Sequence, residues 1–410
     1  MSNFNHPEWT KDKNIYEVNL RQYTQEGDIK AFMNHLPRLK KMGVDILWLM
    51  PIHPIGEKER KGTLGSQYAV RDYLALDPSL GTKEDLKALI DQAHDMGMYL
   101  ILDWVANHTS WDNVWVDEHP EWYKRNEQGE LYPYTYVDDK KTEYWTDVIG
   151  LNYENKALWD GMTEAMAYWV NEFNIDGFRC DVAGLVPTPF WEYATERLNK
   201  IKHLFMLAEW SKPDLHDKAF DMTYDWGFYV LIGDIVTGKK TVDDIPAYLD
   251  QLYVDYPHDA YRMVFTSNHD KNTWEASDDE YFGESFEAFT VLAATLFGMP
   301  LIYSGQESGL DKRIEFFEKD PIDWKTYKYD ELYTDLLLLK RNNPALWNGA
   351  YGAKPTFFHT GNPNVITFVR QKENNRVEVT INLSSETQEY KDINGSEQKS
   401  INAYEYIINC

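Results

Sequence analysis

The chain has 410 residues, 43% of them hydrophobic, which suits one large domain with accessory pieces and excludes a disordered chain. Its formal net charge of −26 argues against nucleic acid and anionic membranes as partners, since both need a basic footprint. No run approaches the roughly 20 apolar residues of a membrane helix, and the start M-S-N-F-N-H-P-E-W shows no leader, so the expectation is a cytoplasmic protein or an exported one whose leader was removed.

Short apolar runs alternate with longer amphipathic ones along the chain. The runs cover 15–20, 45–50, 98–103, 175–180, 203–209, 221–225, 262–268 and 300–304. Eight strand candidates separated by helical patterns predict βα units and a parallel sheet. After the first run, Asp28 opens a helix with Ile29, Phe32, Met33, Leu36, Leu39 and Met42 on one face, bent at Pro37 and ended by Gly43. Thr82 and Asp85 make a capping-box start for Leu86, Leu89, Ile90, Ala93 and Met96, with Gly97 as the stop. The interval 107–152, rich in Trp, Tyr and acids, breaks the rhythm. It reads as an inserted subdomain, because structureless loops of that length are rare. Cys180 lies in the fourth run and Cys410 ends the chain, a placement that argues against a structural disulfide. Residues 331–341 read as the last barrel helix. Beyond about 347 short alternating strands, such as 365–370 and 376–383, with N-G and G-N-P turns predict a small all-β domain.

The expected fold is therefore α/β: a (β/α)₈ barrel from 1–106 and 153–346, an insertion at 107–152 after the third strand, and a C-terminal β domain at 347–410. In such a barrel the active site lies at the C-terminal ends of the strands. Here those ends are polar. Strand three finishes Asp103-Trp104-Val105-Ala106-Asn107-His108, strand four Gly177-Phe178-Arg179-Cys180-Asp181, strand five Leu207-Ala208-Glu209-Trp210, and strand seven Thr266-Ser267-Asn268-His269-Asp270. A single acid at a strand end is more often a cap, but acids at the ends of strands four, five and seven together point to chemistry. Glycoside cleavage with retention needs two carboxyl groups about 5–5.5 Å apart, one ionised and one protonated, and adjacent strands four and five can supply them. Arg179, two residues before Asp181, lies on the same side of its strand and would favour the ionised form. Leu207, Ala208 and Trp210 give Glu209 a partly apolar setting that favours its protonated form. Asp270 is a third acid suited to an oxocarbenium-like transition state. Fifteen Trp and 28 Tyr suit a sugar substrate held by stacking, although packing also accounts for much of them. For Trp111, Trp115, Trp122 and Trp145 in the insertion, packing is the preferred reading over a glucan groove.

These segments, taken in order, resemble the α-amylase family, glycoside hydrolase family 13, over nearly the whole chain. D-W-V-A-N-H at 103–108, G-F-R-C-D at 177–181, Glu209 and N-H-D at 268–270 resemble its four main segments. The stretches at 43–51, 68–73 and 298–307 resemble supporting ones. The resemblance implies Asp181 as nucleophile, Glu209 as general acid/base and Asp270 as transition-state stabiliser. It implies Arg179, His108 and His269 holding the −1 sugar, Tyr68 stacking beneath it, and Asp103 in a supporting role. It also implies a calcium site, with Asn107, Asp147 and the Leu185 carbonyl at ligand positions, and no organic cofactor. The implied substrate is an α-glucan or maltooligosaccharide. Cyclomaltodextrinase, exo-α-glucosidase and glucanotransferase keep the same trio and remain as alternatives. One departure bears on that choice: typical α-amylases carry a Lys-His pair three and four residues after the nucleophile, where this chain has Gly184 and Leu185. A non-catalytic barrel of the transporter heavy-chain kind fits poorly, because all three acids are kept.

Overall fold

Alternate side chains on eight short strands face two different apolar environments, and this alternation closes the sheet on itself. In the computed structural model, which describes residues 5–138 and 141–410, the strands are short and almost wholly buried. They are β1 (Ile15–Val18), β2 (Ile46–Leu49), β3 (Tyr99–Trp104), β4 (Gly177–Cys180), β5 (Phe205–Ala208), β6 (Met222–Tyr224), β7 (Tyr261–Val264) and β8 (Met299–Tyr303). Neighbours pair in parallel, and β8 pairs back to β1. Ile15, Ile46, Trp48, Ile101, Leu207, Met222, Met263 and Leu301 pack on one another inside the barrel. The intervening Tyr16, Leu47, Leu100, Leu102, Phe178, Met206 and Ile302 pack outward in the cluster shared with the helices. Each strand coincides with one of the eight apolar runs, because a strand covered on both faces has no polar side to show.

The inward phase changes character at the C-terminal ends. Glu17 follows Ile15, Asp103 follows Ile101, and Arg179 stands between the outward Phe178 and Cys180; all three are fully buried. The barrel thus carries a charged layer on top of apolar ones.

Helices Lys83–Asp95 and Asp330–Asn342 match the expected ones, the first with the Thr82–Asp85 capping box formed in both directions. The helix expected to bend at Pro37 is instead two helices, Ile29–Met33 and Leu36–Met42. Proline lacks the N–H an interior position needs but is tolerated in a first turn, so it begins the second helix. Gly43, at φ +103°, ends it.

Within the insertion, His108–Ser110, Pro133–Val137 and Thr142–Gly150 form a three-stranded antiparallel sheet with the last strand central. Trp115 and Trp122 pack edge to face at 5.1 Å, while Trp145 lies against Tyr134 at 5.1 Å. Near the C-terminus, Pro355–Phe358, Val365–Lys372, Asn375–Asn382 and Tyr406–Asn409 make an antiparallel sheet beside a two-stranded ribbon. Cys180 and Cys410 are both free. Among the described residues no helix is long and apolar enough to cross a membrane. Residues 1–4, where the leader reading begins, and 139–140 of the insertion lie outside the described residues.

β4 carries Arg179 and leads into Asp181, and its position depends on Gly177. A Cβ there would fall 1.9 Å from the Phe205 carbonyl oxygen on β5. Gly177→Ala should therefore cost about 1–3 kcal/mol by forcing the two strands apart, read as a lower urea midpoint at unchanged slope. An unchanged midpoint would contradict this tight pairing.

Candidate active site

Strand geometry delivers one cation and three acids to the same buried point. Arg179 Nη1 donates to Asp103 Oδ1 and to Asp181 Oδ1, both at 2.9 Å, and Nε donates to the Tyr224 hydroxyl at 3.2 Å. Arg179 Nη2 stands 3.0 Å from Glu209 Oε2, an ion pair without a formed hydrogen bond. Glu209 Oε2 instead accepts the backbone N–H of Val182 at 2.7 Å. Val182 holds φ +36°, ψ 46°, a left-handed conformation that a β-branched residue adopts only under strain. The chain turns sharply just after Asp181, and the turn aims a donor at the carboxylate of the next strand.

A second set of contacts fixes the floor of the site. Asp103 Oδ2 accepts from Trp48 Nε1 and from the Tyr68 hydroxyl, each at 3.1 Å. The Tyr68 hydroxyl lies 2.8 Å from His269 Nε2, and the two rings stack at 5.4 Å. His269 Nδ1 is hydrogen-bonded to Glu17, and its Nε2 is 3.5 Å from Asp270 Oδ1. The Asp270 side chain is more open than the rest, at 37% exposure.

These surroundings separate the acids. Burial raises Asp181 above the ordinary aspartate value, while Arg179 pulls it back toward ionisation. Burial raises Glu209 further, to about 8; Arg179 opposes this and the charges of Asp181 and Asp270 reinforce it. For His269 burial works against the cation, but Asp270 and Glu17 outweigh it and bring the imidazole to about 9. The arrangement therefore favours a carboxylate at Asp181, a carboxylic acid at Glu209 and a cation at His269 near neutral pH. The expected effect of Arg179 on Asp181 is present, but burial outweighs it.

Arg179, Asp181, Glu209, Asp103, Tyr68, His269 and Asp270 thus come together. His108 stands at the start of the inserted sheet, accepting from Asn107 at 3.0 Å and resting against Tyr134 and Trp145; burial lowers it to about 4, so it is neutral. Three contributors escape the sequence reading. Glu17 had a signal, as the one acid in the apolar run 15–20. Trp48 and the Val182 backbone N–H had none, since each matters only through a neighbour distant in sequence. Beside the acids, a Cβ on Gly184 would fall 2.3 Å from three ring atoms of Trp210. No larger residue can stand at position 184 unless that indole moves.

Comparisons with known proteins agree with this fold. Residues 6–206 match the family described as Alpha amylase, catalytic domain. The crystal structure of an α-amylase from Lactobacillus plantarum superimposes with a TM-score of 0.86 at 30% identity, covering 97% of this chain and 98% of that one. Alpha-amylase 2 of Dictyoglomus thermophilum is 25% identical over 97% of this chain and 73% of its own length. A cyclomaltodextrinase from Bacillus sp is 26% identical over 87% of this chain and 65% of its own. The chain spans from about half to about three quarters of the length of the curated relatives it matches.

Of the three expected calcium positions, the one side-chain carboxylate already has a cation beside it. Asp147 is buried, and its Oδ1 is paired with Lys61 Nζ at 2.8 Å. Calcium takes about six to eight oxygens, and a lone carboxylate already neutralised by an ammonium is a poor start. EDTA should therefore leave the melting temperature unchanged, whereas Lys61→Met, which strips Asp147 of its partner, should lower it. A melting temperature that falls with EDTA and recovers with calcium would contradict this reading.

Proposed function

The chain belongs to the α-amylase family, glycoside hydrolase family 13, and on that premise we propose that it hydrolyses α-1,4-glucosidic bonds of starch or maltooligosaccharides with retention. The observation that carries the reading is the single guanidinium of Arg179 set between Asp181 and Glu209, with Glu209 alone raised to about 8. Two carboxyl groups of unlike protonation on neighbouring strands are what double displacement requires.

In the first step an Asp181 carboxylate oxygen bonds to the anomeric carbon while the glycosidic C–O bond breaks. The proton of Glu209 passes to the departing oxygen. In the second step Glu209, now ionised, takes a proton from water, whose oxygen displaces Asp181 and restores the α configuration. Asp270 faces the positive charge that develops on the ring in both transition states. Arg179 and the cationic His269 offer donors to the −1 sugar, His108 contributes from the inserted sheet, and the Tyr68 ring lies beneath. Asp103 keeps Arg179 and Tyr68 in place through its two oxygens.

Gly184 favours a second reading, in which a sugar rather than water accepts the glycosyl group. The leaving-group side is walled there by the Trp210 indole instead of a lysine ammonium, and an aromatic wall suits a sugar ring. Products from maltoheptaose, cyclodextrin, pullulan and sucrose separate hydrolysis from cyclodextrin opening, exo-cleavage and transfer.

Asp181→Asn and Glu209→Gln should each lower turnover of a maltooligosaccharide by several orders of magnitude while the melting curve stays near that of the unmodified chain; near-normal turnover in either would overturn its role. Because Asp181 must be ionised and Glu209 protonated, kcat/KM should rise with pH on the acid side and fall again near about 8. NMR should find the α-anomer as the first-formed reducing end, and a β product would mean inversion.

A further inference from the structure

The catalytic floor does not stop at Tyr68. Its ring lies nearly parallel to that of Phe316, with centroids 6.1 Å apart and planes 11° from one another. Phe316 in turn meets Trp274 at 5.3 Å, and Trp274 touches Phe317 at 6.0 Å. Trp274 is 55% exposed, a large apolar surface left in water. We propose that Phe316 and Trp274 continue the Tyr68 platform and bind the glucose units on the non-reducing side of the scissile bond, so that chain length on that side sets the rate.

Two observations besides exposure support this assignment. Trp274 lies in the π-helical turn Lys271–Glu275, which begins directly after Asp270. Such turns are rare and concentrate at functional sites, because they re-aim side chains that a regular helix would bury. The ring is also held. Asn272 Nδ2 donates to the Lys312 carbonyl at 3.0 Å, the Ile314 N–H donates back to Asn272 Oδ1 at 2.9 Å, and the Thr273 hydroxyl donates to the Ile314 carbonyl at 2.9 Å. These bonds tie the segment after β7 to the segment after β8 and keep Trp274 over Phe316. A platform fixed in advance loses little conformational entropy when a sugar lands on it.

The side of the bond follows from barrel order. Glu209 follows β5, and Gly184 with Trp210 lies beside it. The acid/base protonates the leaving oxygen, so the departing part of the glucan lies along that rim. Phe316 and Trp274 come from the segments after β8 and β7, across the barrel mouth from β4. A chain running from Glu209 past Tyr68 continues onto them. The ligand chemistry is that of an α-1,4-linked glucose unit, whose C–H face packs on an aromatic face while its hydroxyls stay wet.

This proposal rests on the glucan-cleaving reading, and two substrates keep the two apart. α-Glucosyl fluoride fills only the −1 position, α-maltotriosyl fluoride extends two units further on the non-reducing side, and neither carries a sugar leaving group. Trp274→Ala should lower kcat/KM for α-maltotriosyl fluoride about tenfold, the scale of one lost ring contact, and leave α-glucosyl fluoride within about twofold. Trp274→Phe should recover most of the loss. Equal losses on both fluorides would mean a structural role, and no loss on either would place the ring outside the non-reducing subsites; each result overturns the proposal. An unmodified chain that turns over neither fluoride and no maltooligosaccharide overturns the hydrolytic reading, and this proposal falls with it.

Discussion

Arg179 is a guanidinium with no exposure to water, placed where a barrel interior would otherwise be apolar. Removing such a cation from water is costly, and the cost is offset only when its donors meet charges of opposite sign in good geometry. Asp103 and Asp181 provide that geometry at 2.9 Å each, and the Trp48 ring stands 5.0 Å beneath the cation. The remaining nitrogen faces Glu209 without a formed hydrogen bond. This unequal sharing lets two neighbouring acids hold different protonation states. If Arg179 were lost, three buried acids would face one another uncompensated, so fold and chemistry depend on the same side chain.

The supporting structure has two kinds of part. Close backbone approach between β4 and β5, possible because Gly177 has no Cβ, sets the spacing of Asp181 and Glu209. Around that rigid centre, short irregular segments aim individual groups. The left-handed Val182 presents its N–H to Glu209, and the π-helical turn after Asp270 presents Trp274. The strain at Val182 persists because the strands on either side leave the chain no other route.

Much of this was legible in the sequence, and the reason is physical. A parallel strand covered on both faces must be apolar throughout, so eight runs of Val, Ile, Leu and aromatic residues marked eight strands. An acid at or just beyond the C-terminal end of such a run stands out, as Asp181, Glu209 and Asp270 do. The same test applied to 15–20 singles out Glu17, whose partner His269 is 252 residues away. Features that depend on tertiary neighbours left no local trace. Lys61 gives no sign that it neutralises Asp147, and nothing near Trp274 announces Phe316. Pro37 was ambiguous because the same ring can bend a helix or begin one, and the packing of residues 29–42 decides between them.

The proposed mechanism depends on Asp181 being the ionised nucleophile that its pairing with Arg179 favours. Incubation with 5-fluoro-α-maltosyl fluoride, followed by proteolysis and mass spectrometry, tests this directly, since the fluorine slows hydrolysis of any covalent intermediate. The proposed mechanism predicts one 5-fluoromaltosyl adduct per chain, located on Asp181 and absent from Asp181→Asn. An adduct on Asp103, Asp270 or Glu209, or turnover of the reagent at a normal rate with no adduct under any quench, would contradict it.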